Sequence, residues 1–228
     1  YRPFLSQEPA YPTSVFAEPF DTDDGFRVWL DAGEVGTLLA AARGREERTA
    51  FALGARSGLR VSEIVDVEAK DVVSTSAGPR VRVWHSKGNR YRETPATTDL
   101  LATARTVADL QGPETLLVDW SRRTIGRRLN QITADLAEDD EIWQYVTPHD
   151  LRRTWATLLS ADIDDPLLIM DFGGWEDIET FLEHYRGSYS PAVQRRELSK
   201  VSWLNIDDQS GDRDPELAML DTEQNTVE

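Results

Sequence analysis

The stretch from Thr147 to Thr157 places two chemically useful side chains at the start of one predicted helix. Pro148 suits the first helical turn, where its missing N–H is not needed, and Thr147 before it can act as the cap. His149 and Arg152 are spaced i and i+3, so they lie on the same helical face. This helix start therefore presents an acid–base group beside a fixed cation. The alternative is a surface helix with a stray histidine and arginines.

Two more cations stand where the backbone is predicted to turn. Gly58 is typical of a helix stop, and Arg60 follows it with Glu63 near enough to orient the guanidinium. The alternative for Arg60 is a buried, structural Arg–Glu pair. Lys87 lies at the tip of a predicted hairpin, which can reach into a groove, and the alternative is a solvated turn lysine. Since the whole chain has only three lysines, each one is more informative.

A tight turn and a helix end add two aromatic residues. Gly173 and Gly174 precede Trp175, whose indole carries a single N–H donor. Tyr185 closes the helix that is predicted to start at Glu176. The alternatives are a packed tryptophan at a helix entry and an ordinary amphipathic tyrosine.

Most of the elements that must position these residues are predicted helices. Leu151, Trp155 and Leu158 recur at helical spacing and form the core stripe of the helix that begins near His149. Further helices are predicted over residues 34–43, 45–57, 62–65, 97–110, 121–136, 164–172 and 176–185.

Residues 71–95 have a different pattern, because their segments alternate or are β-branched. Segments 72–73, 80–84 and 91–94 predict a small antiparallel sheet, with a hairpin at Gly88-Asn89. The predicted fold is therefore mainly α with a small antiparallel β-sheet, an α+β class.

The two ends of the chain differ from its middle. Residues 1–26 contain four prolines and no sustained periodicity, which predicts an extended arm or linker. The pattern becomes helical from Val28, and residues 27–204 are predicted to form one domain. Residues 205–228 are polar and acidic and are predicted to be mostly disordered.

The composition is acidic and almost free of lysine. Asp and Glu number 41 against 25 Lys and Arg, which gives a net charge of −16. Dense carboxylates keep a surface hydrated where salt screens their repulsion, so this composition suggests adaptation to high salt. The absence of cysteine excludes disulfides and fits a reducing interior, so a cytoplasmic protein is expected. No stretch approaches the roughly 20 apolar residues of a membrane span, so no membrane partner is expected.

Five motifs in this order resemble those of the tyrosine recombinase, or phage integrase, family. They are Gly-Leu-Arg-x-Ser-Glu at 58–63, Ser-Lys-Gly-x-x-x-Arg at 86–92, His-x-Leu-Arg-x-Thr-x-Ala-Thr at 149–157, Gly-Gly-Trp at 173–175 and the tyrosine at 185. Each motif alone is weak, but the ordered set is specific, and it covers roughly residues 28–190. The resemblance implies a mostly helical catalytic domain that cuts and rejoins DNA through a phosphotyrosine. With the acidic composition, it suggests a version from a salt-loving archaeon or its virus or plasmid.

The resemblance also implies a role for each residue. Arg60 and Arg152 would clamp the non-bridging oxygens of the phosphate, whose negative charge grows during attack. Tyr185 would be the nucleophile, and nearby cations would help its hydroxyl to ionise. His149 would move a proton near neutral pH, and Lys87 would protonate the leaving 5′ oxygen.

Trp175 stands where the family has His or Trp, and its N–H would donate to the phosphate. No cofactor and no metal are implied, because the phosphotyrosine keeps the energy of the cut bond. The implied partners are double-stranded DNA and further copies of the chain, as a tetramer on DNA. A basic patch is predicted to form the DNA face, and its members are Arg90, Arg92, Arg122, Arg123, Arg127 and Arg128.

Two features depart from the family pattern. Nine residues separate Trp175 from Tyr185, one more than expected, so His184 or Tyr189 could stand in the tyrosine's place. Tyr185 is the better candidate because Tyr189 lies beyond the glycine where the helix is expected to end. Family members also usually carry a separate helical domain that clamps the other side of DNA, and the predicted arm over 1–26 cannot be that domain.

Three other functions remain as alternatives. A type IB topoisomerase-like enzyme would relax DNA with the same phosphotyrosine and no partner protomers. A DNA-binding accessory protein of the family would not cleave DNA, although the intact residue set argues against it. A metal-dependent nuclease is remote, because His85, His149 and His184 have no ligand spacing.

Overall fold

The structure, a computed structural model, describes residues 16–19, 26–84, 91–185 and 198–201. Within these ranges the chain is mostly helical and has two small antiparallel sheets. The helices are α1 (Ala32–Ala41), α2 (Arg45–Ser57), α3 (Val61–Ile64), α4 (Thr98–Gln111), α5 (Arg122–Leu136), α6 (Pro148–Asp162), α7 (Pro166–Gly173) and α8 (Ile178–Tyr185). The strands are β1 (Phe16–Pro19), β2 (Phe26–Trp29), β3 (Val72–Thr75), β4 (Gly78–Val83) and β5 (Arg92–Pro95). The predicted fold class is therefore confirmed.

The chain divides into two units, residues 1–188 and residues 189–228, and all of these elements belong to the first. In the second unit the structure describes only residues 198–201, where Val201 N–H donates to the carbonyl oxygen of Leu198 at 3.0 Å. The predicted division into arm, domain and acidic tail stays a prediction. No helix in the described ranges is long and apolar enough to cross a membrane.

Helices α2 and α6 pack against each other in the centre of the main core. Helix α2 has the bounds that the sequence predicted, and the stop at Gly58 is confirmed by its left-handed φ of 68°. A Cβ added at Gly54 would lie 3.2 Å from the Cβ of Leu151, so this glycine lets the two helices approach closely. A glycine within a helix costs about 1 kcal/mol relative to alanine, which the close packing must offset. The end of α2 is thereby fixed beside α6, whose first turn carries predicted site residues.

The sheet β3-β4-β5 is antiparallel throughout, as predicted. Val81 pairs with Thr94 and Val83 pairs with Arg92, and all of these side chains are buried. Side chains alternate between the two faces of a strand, so this register turns Arg92 towards the interior. The hairpin tip predicted at Gly88-Asn89 lies outside the described residues.

The segment around Val28 contradicts a prediction. We expected a helical pattern from Val28 onwards, but Val28 lies in β2, which pairs antiparallel with β1. The N–H of Val28 donates to Asp150 Oδ1 at 3.1 Å, and the N–H of Leu30 donates to Thr154 Oγ1 at 3.0 Å. Side chains of α6 thus satisfy backbone donors of this extended segment, which a local helical pattern could not reveal.

Candidate active site

The side chain of Arg152 is buried between two glycine-containing turns. Its Nη2 donates to the carbonyl oxygen of Gly173 at 2.7 Å, and its Nη1 donates to the carbonyl oxygen of Gly58. Its guanidinium carbon lies 4.3 Å from the ring centroid of Trp175. These contacts fix the plane of the guanidinium, because a planar fork can donate in several directions while it stacks on a ring.

Glycine is required in both turns. Gly58 and Gly174 have φ values of 68° and 67°, where a side chain is strained. A Cβ on Gly58 would lie 2.2 Å from the indole of Trp155, and a Cβ on Gly173 would lie 1.7 Å from the ring of Trp175. The two glycine motifs therefore let two backbone carbonyls and the indole ring of Trp175 contact the same guanidinium.

Arg60 follows the first of these turns and remains partly open to solvent, with 26% of its side chain exposed. Its Nη1 donates to Glu63 Oε1 at 2.9 Å, and its backbone N–H donates to Glu63 Oε2 at 2.8 Å. Burial alone would raise the pKa of Glu63, but hydrogen bonds and charges from Arg92 and Arg60 outweigh it and lower that pKa. The expected Arg60–Glu63 pair is confirmed, and Glu63 is an ionised acceptor.

Arg92 contradicts the prediction that it belongs to an exposed basic patch. The residue is 6% exposed, and its Nη1 and Nη2 donate to both carboxylate oxygens of Glu63 at 2.8 and 2.7 Å. Its Nε donates to the carbonyl oxygen of Phe172 at 3.0 Å. The physical reason is the strand register, since a residue opposite the buried Val83 faces the interior rather than solvent.

His149 lies in the first turn of α6, exposed on one side and close to several cations. Desolvation by the surrounding protein lowers its pKa, and the charges of Arg153, Arg152 and Arg60 lower it further, to about 4. The imidazole is therefore neutral near pH 7 and can accept a proton. The structure thus brings together four predicted site residues, namely Arg60, His149, Arg152 and Trp175.

Aromatic packing connects this group to α8. The rings of Trp155 and Trp175 stack with centroids 6.2 Å apart, and Phe181 of α8 meets Trp175 edge-on at 5.3 Å. Tyr185 is the last residue of α8 and shares a helix face with Phe181, since they are i and i+4. The side chain of Tyr185 and the whole of Lys87 lie outside the described residues.

The assembled groups suit an anion with several oxygens. Guanidiniums of Arg60, Arg152 and Arg153 concentrate positive charge near His149 in a chain with a net charge of −16. Planar guanidiniums match the geometry of phosphate oxygens and act most strongly where water is partly excluded. Within the described ranges, no group of three or more His, Asp or Glu side chains could hold a metal ion.

The comparison with known proteins decides the family. Residues 28–190 match the phage integrase family, and this range includes the whole of the site described above. The chain belongs to the phage integrase family. The resemblance inferred from the five ordered motifs is thereby confirmed.

Relatives of this phage integrase family member include two tyrosine recombinases. The tyrosine recombinase XerC of Stutzerimonas stutzeri (strain A1501) is 30% identical over 165 residues, which cover 70% of this chain and 52% of the relative. The tyrosine recombinase XerD of Staphylococcus saprophyticus is 27% identical over 165 residues, which cover 66% of this chain and 55% of the relative. The chain spans about half the length of these relatives.

Solved structures support the integrase-type fold. The XerA recombinase crystal structure has a TM-score of 0.60 and 23% identity, over 76% of this chain and 63% of that one. The Tn1549 transposon integrase in complex with transposon right end DNA has a TM-score of 0.59 and 19% identity, over 80% of this chain and 69% of that one. At these identities the likeness establishes the fold.

The arginines predicted for the DNA face of this integrase family member have different surroundings. Arg122, Arg123 and Arg127 are exposed on α5. Arg128 is half-buried, with its Nη1 3.5 Å from Glu47 Oε1 and its guanidinium carbon 5.5 Å from the ring centroid of Trp120. Three of the predicted members thus face solvent, while Arg90 lies outside the described residues.

Asp150 supports the site but was not singled out from the sequence. Its Oδ1 accepts from Val28 N–H and from Arg153 Nη1, and its Oδ2 accepts from the N–H and hydroxyl of Thr147 at 2.9 and 2.6 Å. Thr147 occupies the predicted cap position, and its hydroxyl donates to the Asp150 carboxylate. The spacing Thr-Pro-x-Asp was the available signal, because an acidic residue three positions after a cap can bond back to it. These bonds fix the helical turn that carries His149.

Proposed function

We propose that this chain is the catalytic part of a site-specific DNA recombinase that cleaves and rejoins strands through a 3′-phosphotyrosine. The observation that carries the proposal is the convergence of Arg60, His149 and Arg152 at one end of the α2–α6 pair. Helix α8 packs through Phe181 against Trp175, whose ring contacts Arg152, and the helix ends at Tyr185. The family relationship supports the proposal, since the related XerC and XerD are tyrosine recombinases.

The proposed reaction exchanges one phosphate ester for another. The hydroxyl oxygen of Tyr185 attacks the phosphorus, and its proton passes to His149, which is neutral before DNA binds. Arg60 and Arg152 stabilise the negative charge that develops on the non-bridging oxygens. The bond from phosphorus to the 5′ oxygen breaks, and Lys87 supplies the proton to that oxygen. Rejoining is the reverse attack by a 5′ hydroxyl, so the bond energy stays in the phosphotyrosine throughout.

A nicked suicide substrate tests this proposal directly. The short strand that carries the released 5′ hydroxyl diffuses away, so rejoining is prevented and a covalent protein–DNA adduct should accumulate. The adduct should form equally well in excess EDTA. Tyr185→Phe keeps the ring and removes one oxygen, so this variant should fold and bind DNA without forming the adduct. Mass spectrometry should find the nucleotide on the peptide that contains Tyr185.

The outcomes separate the position of the nucleophile from the reaction itself. An adduct on Tyr189 would move the nucleophile but keep the reaction. An adduct that still forms in both Tyr185→Phe and Tyr189→Phe would reject the assignment of the nucleophile to these tyrosines. Cleavage that requires Mg²⁺ would reject the mechanism as a whole.

The proposed partners are double-stranded DNA and further copies of the chain. Exposed arginines at the start of α5 support the DNA contact, because phosphate neutralisation dominates such affinity. We propose a tetramer on DNA and a cytoplasmic protein adapted to high salt, the latter on the excess of carboxylates over lysines. Light scattering of the chain with and without a duplex, at several salt concentrations, measures both the assembly and its salt tolerance.

A further inference from the structure

Arg92 uses every nitrogen of its guanidinium within the interior of the protein. Two nitrogens bind the carboxylate of Glu63 side by side, at 2.8 and 2.7 Å, and the third binds the carbonyl oxygen of Phe172 at 3.0 Å. Only 6% of the residue is exposed. Burial of a charge is unfavourable unless the charge is fully paired, so the positions of Glu63 and of the Phe172 carbonyl relative to Arg92 are tightly constrained.

One end of this arrangement leads to Arg60. Glu63 Oε1 accepts from the side chains of both Arg60 and Arg92, and its Oε2 accepts from Arg92 and from the backbone N–H of Arg60. The position of the Glu63 carboxylate, and with it the orientation of the Arg60 side chain, is therefore set by the bonds from Arg92. The side chain of Arg60 is the more exposed of the two, so it depends on this carboxylate for its orientation.

The other end leads to Arg152. Phe172, whose carbonyl binds Arg92, directly precedes Gly173, whose carbonyl binds Arg152 at 2.7 Å. Gly174 lies against the Arg92 side chain, since a Cβ there would be 2.9 Å from its Cδ. Arg92 thus connects the α3 start that carries Arg60 to the turn that holds Arg152.

We propose that Arg92 is a positioning residue that fixes Arg60 relative to Arg152, so that both guanidiniums meet one phosphate. The proposal rests on the function proposed above, because it concerns the geometry of that reaction. Arg92 acts through Glu63 and the Phe172–Gly174 turn and does not itself touch the phosphate. Displacement of a catalytic group by about 1 Å can slow a reaction by about 10²-fold, so this role has a measurable consequence.

The test compares Arg92→Met with Thr94→Val on the same strand. Thr94 is also buried in β5, and its hydroxyl donates to the carbonyl oxygen of Ser57 at 2.7 Å, so its loss destabilises the same region without touching Glu63. Arg92→Met should lower the single-turnover cleavage rate at saturating DNA by about 10²-fold and leave the DNA dissociation constant unchanged. Thr94→Val should leave that rate within about twofold, measured at a temperature where both variants are folded.

A second pair of variants asks whether Arg92 acts through Arg60. In an Arg60→Lys background the guanidinium that Arg92 positions is gone, so adding Arg92→Met should slow cleavage by no more than about twofold further. Adding Thr94→Val should have the same small effect in both backgrounds. A full loss from Arg92→Met in the Arg60→Lys background would overturn the proposal, and so would equal losses from Arg92→Met and Thr94→Val.

A replacement variant covers the case in which Arg92→Met does not fold, and the outcomes distinguish failure of the Arg92 role from failure of the proposed function. Arg92→Lys keeps a cation beside Glu63 but cannot form the paired bonds, so it replaces Arg92→Met if that variant does not fold, with the same expected direction. If the unaltered chain forms no adduct, the proposed function fails. If the adduct forms and Arg60→Lys slows it while Arg92→Met and Arg92→Lys do not, only the role of Arg92 fails.

Discussion

The arginines of the candidate site and those at the start of α5 share a side chain but not an environment. Arg92 and Arg152 are 6% and 3% exposed, and carboxylates, carbonyl oxygens and an indole ring fix them. Arg123 and Arg127 lie on the surface of α5. The first group is held in place before any ligand arrives, whereas the second must lose rotamer freedom when it binds.

This difference indicates two tasks for one residue type. A guanidinium that stabilises a transition state must already point at the developing charge, so it requires partners that orient it. A guanidinium that attracts a DNA backbone needs only to be near it, since long-range attraction does not depend on fine geometry.

The free energy of unfolding should depend strongly on the buried site arginines and little on the surface arginines of α5. Arg153→Met leaves Asp150 buried without its cation, so we expect the free energy of unfolding to fall by about 3 kcal/mol. Arg123→Met on the surface of α5 removes the same charge, and we expect a change within about 0.5 kcal/mol. Urea unfolding measures both values, and equal losses would contradict the distinction between fixed and surface arginines.

Catalysis should depend on the site group alone. We expect Arg60→Ala to slow single-turnover cleavage by about 10²–10³-fold with little change in DNA affinity, because the lost donor acts in the transition state. Arg127→Ala is the matched control and should leave the rate at saturating DNA within about twofold. A fall in affinity without a fall in rate for Arg60→Ala would assign this residue to binding instead.

Salt dependence should report on the surface group. Each phosphate contact contributes a slope of about 0.9 to the fall of log affinity with log salt. The double variant Arg123→Gln and Arg127→Gln should therefore flatten the slope by up to about 1.8, while Arg48→Gln with Arg105→Gln, also exposed, should not change it. An unchanged slope in the first variant would place the DNA on another face.

The pKa of His149 should report on the nearest guanidiniums. Desolvation and the charges of Arg153 and Arg152 lower this pKa more than Arg60 does, so Arg60→Ala should raise it only slightly above about 4, whereas Arg123→Ala should not alter it. Because the folded pKa lies below the ordinary value, the stability of the unaltered protein should fall as the pH falls from 6.5 towards about 4. NMR titration of the imidazole C–H signal measures the shift, and no shift with Arg60→Ala would place Arg60 too far away to act.

Much of the secondary structure could be predicted because its signals are local. Residues within one or two turns of each other are enough to set three of these features. They are the bounds of α2, the left-handed Gly58 and the helix caps at Thr97 and Ser121. Residues 26–29 could not be predicted in this way. They pair with β1, and the N–H groups of Val28 and of Leu30 just after them donate to Asp150 and Thr154, which lie more than a hundred positions along the chain.

The family and most of the candidate site residues could be predicted from ordered motifs, because these motifs retain the residue types that the chemistry needs. Which arginines are held in fixed positions depends on the fold. Arg92 was expected in the basic patch of the DNA face, but the strand register places it opposite Val83 and against Glu63. Whether a charge is buried depends on partners from distant segments that satisfy it, and these meet only when the chain has folded.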